Sequence, residues 1–186
     1  MPLWLHVTAI NRTMNEENTS INIRMAKPGD ERAISALLYS AFQVHERLYT
    51  RQGFSATTLS VPDVMLRIED KVMWVATYSD EIVGTISVVP NDDGFFIKSV
   101  AVSPDARRQG LGAKLIAHAE QLALKQGARF LELTTTSFLV DAGRLYKKLG
   151  FRQSGYSDLF GTRLIKMRKR LIPGASSVIE TTVSDH

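Results

Sequence analysis

The stretch that most constrains this chain runs from Phe95 to Gln126. An apolar run, Phe95 to Val102, is followed at once by Ser103-Pro104-Asp105, a turn signal. Arg107, Arg108, Gln109, Gly110, Leu111, Gly112 and Ala113 come next, and helical spacing begins at Leu111 and runs to Gln126, with Gly127 as its stop. Strand, basic loop and helix are therefore expected in that order. Gly110 and Gly112 carry no Cβ, so the backbone there can curl close to a ligand. The first N–H groups of a helix have no internal partners and hold the positive end of its dipole. These features predict a phosphate or pyrophosphate site at the start of helix 111–126, with Arg107 and Arg108 attracting the anion from further away.

Three phosphate-binding patterns compete for this loop. A Walker loop needs Gly-x-x-x-x-Gly-Lys-Ser/Thr, a string the chain does not contain. A dinucleotide fingerprint would use Gly110 and Gly112, with Glu132 near the position of a ribose-binding acid, but its third glycine falls on the bulky Leu115. The third pattern, Arg/Gln-x-x-Gly-x-Gly/Ala, reads here as Arg107-Arg108-Gln109-Gly110-Leu111-Gly112. With Val100-Ala101-Val102-Ser103-Pro104-Asp105 in front of it, this segment resembles the acetyl-CoA loop of the GNAT superfamily of N-acetyltransferases. A second segment, Asp141-Ala142-Gly143-Arg144-Leu145-Tyr146-Lys147-Lys148-Leu149-Gly150-Phe151, resembles the second signature of that superfamily, at the separation the family shows.

The resemblance spans residues 21–171 and implies an α/β fold of the α+β type. That fold is a GNAT-like mixed, splayed sheet of about six to seven strands with helices on both faces. It implies acetyl-CoA as cosubstrate, held between strands 95–102 and 129–134. The backbone of Val100 and Val102, flanking Ala101, would hold the pantetheine arm, and the N–H groups from Arg108 to Ala113 the pyrophosphate. Tyr146 would stand near the thioester sulfur; a phenol with an ordinary pKa near 10 is protonated at neutral pH and can donate to a departing thiolate. The other reading of Tyr146 is a core aromatic on the apolar stripe Leu139, Ala142, Leu145, Tyr146, Leu149, but its place after Leu145 and before Lys147-Lys148-Leu149-Gly150-Phe151 in the motif favours the acid role.

Two positions depart from the family pattern. An Asn that some members place seven residues before the Tyr is Leu139 here, and a Glu base that some carry on the cofactor strand is Phe96. Phe96 cannot take a proton, so a water relay to a carboxylate or an amine that arrives neutral must substitute. Glu132 lies on the right strand, with a structural ion pair as its other reading; Lys98 and Ser99 are near the site by position. Polar candidates for the acceptor side are His45, Glu46, Tyr49 and Arg51.

The remaining elements follow from local pattern. A short strand is expected over Ile21 to Met25, then a turn with Asp30 as N-cap and a helix ending near His45 to Leu48. Residues 49–60 lack periodicity and read as a loop. Ser60 and Asp63 start a short helix over 62–70. A hairpin of Val72–Tyr78 and Ile82–Val89 precedes the turn at Pro90 to Gly94, and Phe130 to Thr134 should pair parallel with strand 95–102. Helix 139–149 closes at Gly150, and two strands, about 151–157 and 163–170, end the fold. On helix 111–126, Leu111, Leu115, Ala119, Leu122 and Ala123 form the buried stripe, with His118 facing water. Residues 1–20 and 172–186 are expected to be flexible extensions.

Composition limits the alternatives. Cysteine is absent, which removes disulfides, thiolate metal sites and a Cys nucleophile, and the four scattered histidines make no metal-ligand spacing, so no metal is expected. The net charge of +4 suits an anionic ligand. A nucleic-acid partner using Arg107-Arg108 and the basic stretch Arg163 to Arg170 lacks interleaved exposed aromatics and is not expected. No membrane helix or signal peptide is read, which leaves the cytoplasm as the default location. The expected partner is a small-molecule or peptide amine, with a homodimer left open. Two functions remain: acetyl transfer to a primary amine by direct attack in a ternary complex, or an acyl-CoA-binding module of weak turnover.

Overall fold

The computed structural model describes residues 20–92 and 94–172. The two extensions named above lie almost wholly outside these residues. Seven strands form one mixed sheet in the order β1-β2-β3-β4-β5-β7-β6. They are β1 Asn22–Met25, β2 Met73–Tyr78, β3 Glu81–Asn91, β4 Gly94–Val102, β5 Phe130–Thr135, β6 Arg152–Leu159 and β7 Thr162–Arg170. The helices are α1 Glu31–Phe42, α2 Arg51–Thr57, α3 Val61–Glu69, α4 Leu111–Lys125 and α5 Val140–Lys148. After Phe42, α1 tightens into a 3₁₀ segment, Gln43–Leu48. β4 and β5 pair parallel across the α4 crossover, as expected from the sequence, and every other neighbouring pair is antiparallel.

Each face of the sheet has its own core. On one face Leu111, Leu115, Ile116, Ala119 and Ala123 of α4 and Tyr146 of α5 pack on Ile86, Phe95, Ile97, Leu131 and Leu133. On the other, Ile34 and Leu38 of α1 and Val64 and Ile68 of α3 pack on Met73, Val75 and Ala101. Both helix stops predicted from glycine are present. Gly127 has φ +70 and Gly150 φ +92, and Ala128 N donates to Ala123 O as Phe151 N does to Tyr146 O, each at 3.0 Å. Only a residue without Cβ takes that conformation at low cost. Ser60 and Asp63 form the reciprocal cap of α3.

Four local expectations are corrected. Residues 51–57 form a helix, not a loop, started by the Thr50 hydroxyl, which accepts from Gly53 N at 3.1 Å. Asp30 precedes α1 without capping it through its side chain; the carboxylate instead takes Arg24 at 2.6 Å and 3.0 Å and Lys27 N at 2.9 Å. Burial pushes its carboxyl up, but these partners outweigh burial and hold it below the usual carboxylate value. Ile116 joins the buried stripe of α4, whereas Leu122 is only half-buried. His118 does not face water: its ring packs edge-on against Trp74 at 4.5 Å and its buried Nε2 has no hydrogen-bond partner. Burial, helped by Lys125, lowers its pKa, which keeps the imidazole neutral.

The sheet's far end contains a close approach. A Cβ on Gly94 would sit 2.0 Å from Phe130 O, so β4 can start against β5 only with glycine there. Gly94→Ala is expected to lower unfolding free energy by about 1–3 kcal/mol through overpacking against backbone. A urea midpoint equal to that of the parent chain would show that the strands do not meet this closely.

Candidate active site

The site is built by a break in the sheet. β4 and β5 pair only from Gly94↔Phe130 to Ile97↔Leu133, and β4 then runs on to Val102 without that neighbour. The cause is a bulge. Ser87 pairs with Lys98 and Thr85 with Ala101, so Ser99 and Val100 together oppose Ile86. Ser99 has φ +52, in the left-handed region that costs a non-glycine residue strain. A bulge bends its strand and shifts the alternation of side chains. Phe95 and Ile97 face the α4 core, whereas Ala101 joins the α1/α3 core.

The strand beyond the bulge presents free edge positions to the opening. Ser103 N donates to Val83 O at 2.8 Å, so alternation turns the peptide groups of Ala101 and Ser103 toward β3. Those of Val100 and Val102 then point into the gap left by β5. The bulge is braced from below by Arg67 of α3, whose Nη1 donates to Ser99 Oγ at 2.5 Å and to Ser87 Oγ at 3.2 Å. Arg67→Met keeps the aliphatic stem and leaves these hydroxyls unpaired. Stability should fall by about 1.5–3 kcal/mol, the worth of hydrogen bonds to a charged group. An unchanged denaturation midpoint would remove Arg67 from the bulge's support.

Past β4, the loop expected to hold phosphate is exposed from Arg107 to Gly110. Arg108 and Gly110 have φ +64 and +73, so the chain turns sharply before α4. Gly110 occupies the N-cap without a side-chain cap, and α4 has no acidic residue in its first turn. Its first N–H groups therefore keep their capacity for an anion. Around Gly110 there is open space where a Cβ would sit, and Gly112 lies against α5, where a Cβ would stand 3.1 Å from Leu145 Cδ2. The Arg107 side chain is engaged elsewhere: Nη2 donates to Ala41 O at 3.0 Å, closing the end of α1. Of the two arginines, Arg108 is the one with its side chain left to the loop's surface.

Tyr146 lies on α5, 6% exposed, with its ring edge-on to Phe151 at 6.0 Å. Burial pushes its phenol up to about 12, and the neighbouring Tyr49 adds to the shift. Tyr49 follows the 3₁₀ segment and is likewise pushed up to about 12 by burial, against the opposing hydroxyls of Thr57 and Thr136. The Thr136 hydroxyl is near that phenol yet meets no partner at hydrogen-bond geometry. Tyr49 thus lies beside the open end of β5, next to Thr136. Sequence reasoning named Tyr49 only among polar acceptor-side candidates; its packing against Phe54 and Phe138 depends on the fold.

The α2 helix covers this end of the sheet. A Cβ on Gly53 would meet Thr162 Oγ1 at 2.5 Å and Leu159 O at 3.0 Å. Thr50 Oγ1 donates to Phe160 O at 2.6 Å, and Thr50 N to Thr162 Oγ1 at 3.1 Å. So α2 is fastened to the β6–β7 turn. Glu132 is not free to act as a base: Arg168 Nε donates to it at 2.7 Å and Asn91 Nδ2 at 2.9 Å. The ion-pair reading of that residue is the one observed. Phe96 is half-buried, with Lys98 Nζ 5.6 Å from its ring centroid.

A seven-stranded mixed sheet that opens at its centre beside a glycine-bearing helix start defines an α/β fold. The family model described as Acetyltransferase (GNAT) family matches residues 36–151. The chain is 34% identical over 113 residues to the aminoalkylphosphonate N-acetyltransferase of Salmonella typhimurium, covering 57% of this chain and 68% of that one. It is 28% identical over 126 residues to N-acetyltransferase family 8 member 3 of Rattus norvegicus, covering 64% of this chain and 54% of the relative. The chain spans about half the length of the mammalian relatives it matches. The PaiA N-acetyltransferase of Thermoplasma acidophilum, solved with coenzyme A, superposes with TM-score 0.72 at 16% identity, covering 81% of this chain and 99% of that one. The chain belongs to the GNAT acetyltransferase family.

Among the described residues no group of three or more His, Asp or Glu is placed to hold a metal ion. No described helix is long and apolar enough to cross a membrane.

Proposed function

We propose that the chain is an N-acetyltransferase that moves an acetyl group from acetyl-CoA to a primary amine by direct attack in a ternary complex. The observation that carries this reading is the opening of β4 from β5 beside the uncapped start of α4. The residues fit the cosubstrate. The peptide groups of Val100 and Val102 offer an edge for an extended amide-bearing arm, as an added strand would. The N–H groups from Arg108 to Ala113 suit a pyrophosphate, and the space around Gly110 admits it. The Thermoplasma neighbour, which shares this fold, was solved with coenzyme A, and this supports the choice of cosubstrate.

Acetyl-CoA supplies the activated acyl group. The amine's lone pair forms the new C–N bond and the C–S bond breaks, so the sulfur must be stabilised as charge develops on it. Tyr146 is assigned that task. A phenol near 12 gives up its proton reluctantly to a thiolate whose own acid has a pKa of about 8.5. Its role is therefore to donate a hydrogen bond to the thiolate, the balancing proton coming from the attacking nitrogen. No covalent enzyme intermediate is needed, in keeping with a chain without cysteine.

A second reading is kept because Phe96 and Leu139 replace family positions: a GNAT fold that holds acyl-CoA with little turnover. Free-CoA release measured with a panel of primary amines separates the two. Amine-dependent release supports transfer; tight acetyl-CoA binding with no amine-dependent release supports the holding module.

A further inference from the structure

We propose that the acceptor is a primary amine carrying an aromatic or apolar body, seated among Tyr49, Phe54 and Phe138 and taken up in its neutral form. This rests on the acetyltransferase reading and names the substrate class for it.

The rings come from three segments that only the fold brings together. Tyr49 and Phe138 meet edge-on with centroids 4.8 Å apart, and Phe54 of α2 lies 6.0 Å from Tyr49. His45 extends the row, 6.0 Å from Phe138. Tyr49 sits beside Thr136, just past the end of β5 where that strand has parted from β4, so a body held on these rings brings its amine toward the opening proposed for the thioester. Beside it, at the end of β5, the hydroxyls of Thr135 and Thr136 are 5% and 4% exposed as residues and have no hydrogen-bond partners. Buried hydroxyls are rarely left unpaired, and the Thr136 hydroxyl, beside the Tyr49 phenol without hydrogen-bond geometry to it, is placed to meet a ligand's polar group.

The charges exclude other classes of acceptor. Glu132 is taken by Arg168 and Asn91, and Glu46 and Asp141 are exposed, so none of these three carboxylates is a buried grip for an ammonium group. Arg47 and Arg51, exposed two residues to either side of Tyr49, disfavour a polycation. An amine moved from water onto ring faces loses stability in its charged form, so its pKa falls. A neutral nucleophile follows, and Phe96 at the family's base position then leaves no gap in the chemistry.

The test is calorimetric titration of the full chain, saturated with CoA, with 2-phenylethylamine, ethylamine, 1,4-diaminobutane and 2-aminoethylphosphonate. 2-Phenylethylamine should bind at least about tenfold more tightly than the other three. Its affinity should rise about tenfold per pH unit while the amine is mostly protonated in water. Tyr49→Ala and Phe138→Ala should each weaken it about tenfold and leave ethylamine unchanged, whereas Tyr49→Phe, which keeps the ring, should bind as the parent does. Equal or tighter binding of any other probe overturns the proposal. So does an affinity flat with pH, which would mean a cation held on the ring faces. Amine-dependent CoA release with the phosphonate or the diamine alone sinks this class while sparing acetyl transfer. Binding of 2-phenylethylamine without any CoA release supports the pocket and sinks transfer.

Discussion

Tyr146→Phe is expected to lower kcat by about 10²- to 10³-fold, the usual cost of losing one donor aimed at developing charge. The substitution removes one oxygen and keeps the ring against Phe151, so folding should be little changed. The loss should fall on kcat and on kcat/KM alike, because the hydrogen bond forms only as the C–S bond breaks. Acetyl-CoA affinity, measured by calorimetry, should stay near that of the parent. The pH profile adds a check. A phenol near 12 is fully protonated through the neutral range, so the fold-loss should not depend on pH between about 6 and 9. Parent-like kcat in the variant would return Tyr146 to the role of a core aromatic.

Gly112→Asp should weaken acetyl-CoA binding by about tenfold or more, equivalent to at least about 1.4 kcal/mol. Gly112 is the second residue of α4, where the new carboxylate would meet the place proposed for pyrophosphate and repel it. The side chain would also press on Leu145, 3.1 Å from the new Cβ, so part of the effect could be steric. Gly112→Asn, nearly the same size without the charge, separates the two. If charge is responsible, Asn should bind acetyl-CoA more tightly than Asp, with the gap shrinking as salt rises. Calorimetric affinity unchanged in folded Gly112→Asp would place the pyrophosphate elsewhere.

What the sequence disclosed was whatever local chemistry determines. The strand, loop and helix from Phe95 to Lys125, the glycine stops at Gly127 and Gly150 and the cap at Ser60 each depend on residues within a turn or two, and each stands where it was expected. What it concealed depends on distant partners. Residues 51–57 carry Gly53, Ser55 and Thr57, poor helix formers, and the helix is fastened to Phe160 and Thr162 more than a hundred positions away. The bulge at Ser99 belongs to the pairing of β4 with β3 and has no glycine to announce it. Arg67 lies near the end of a short helix, with nothing in its local sequence to mark a role, yet it crosses to a hydroxyl 32 residues on. His118 has water-facing spacing on an ideal helical wheel, but the neighbouring Trp74 of β2 covers it. The two motifs therefore mark the side proposed for the cofactor, while the row built from Tyr49, Phe54 and Phe138 emerges only from tertiary contacts.

The most direct test of the central claim is an initial-rate matrix in which acetyl-CoA and an accepted primary amine are both varied and free CoA is followed, with the acetylated amine verified by mass. Direct attack in a ternary complex predicts amine-dependent CoA release and double-reciprocal lines that intersect. Parallel lines, the mark of a covalent acyl-enzyme, or CoA release that ignores the amine, would contradict it.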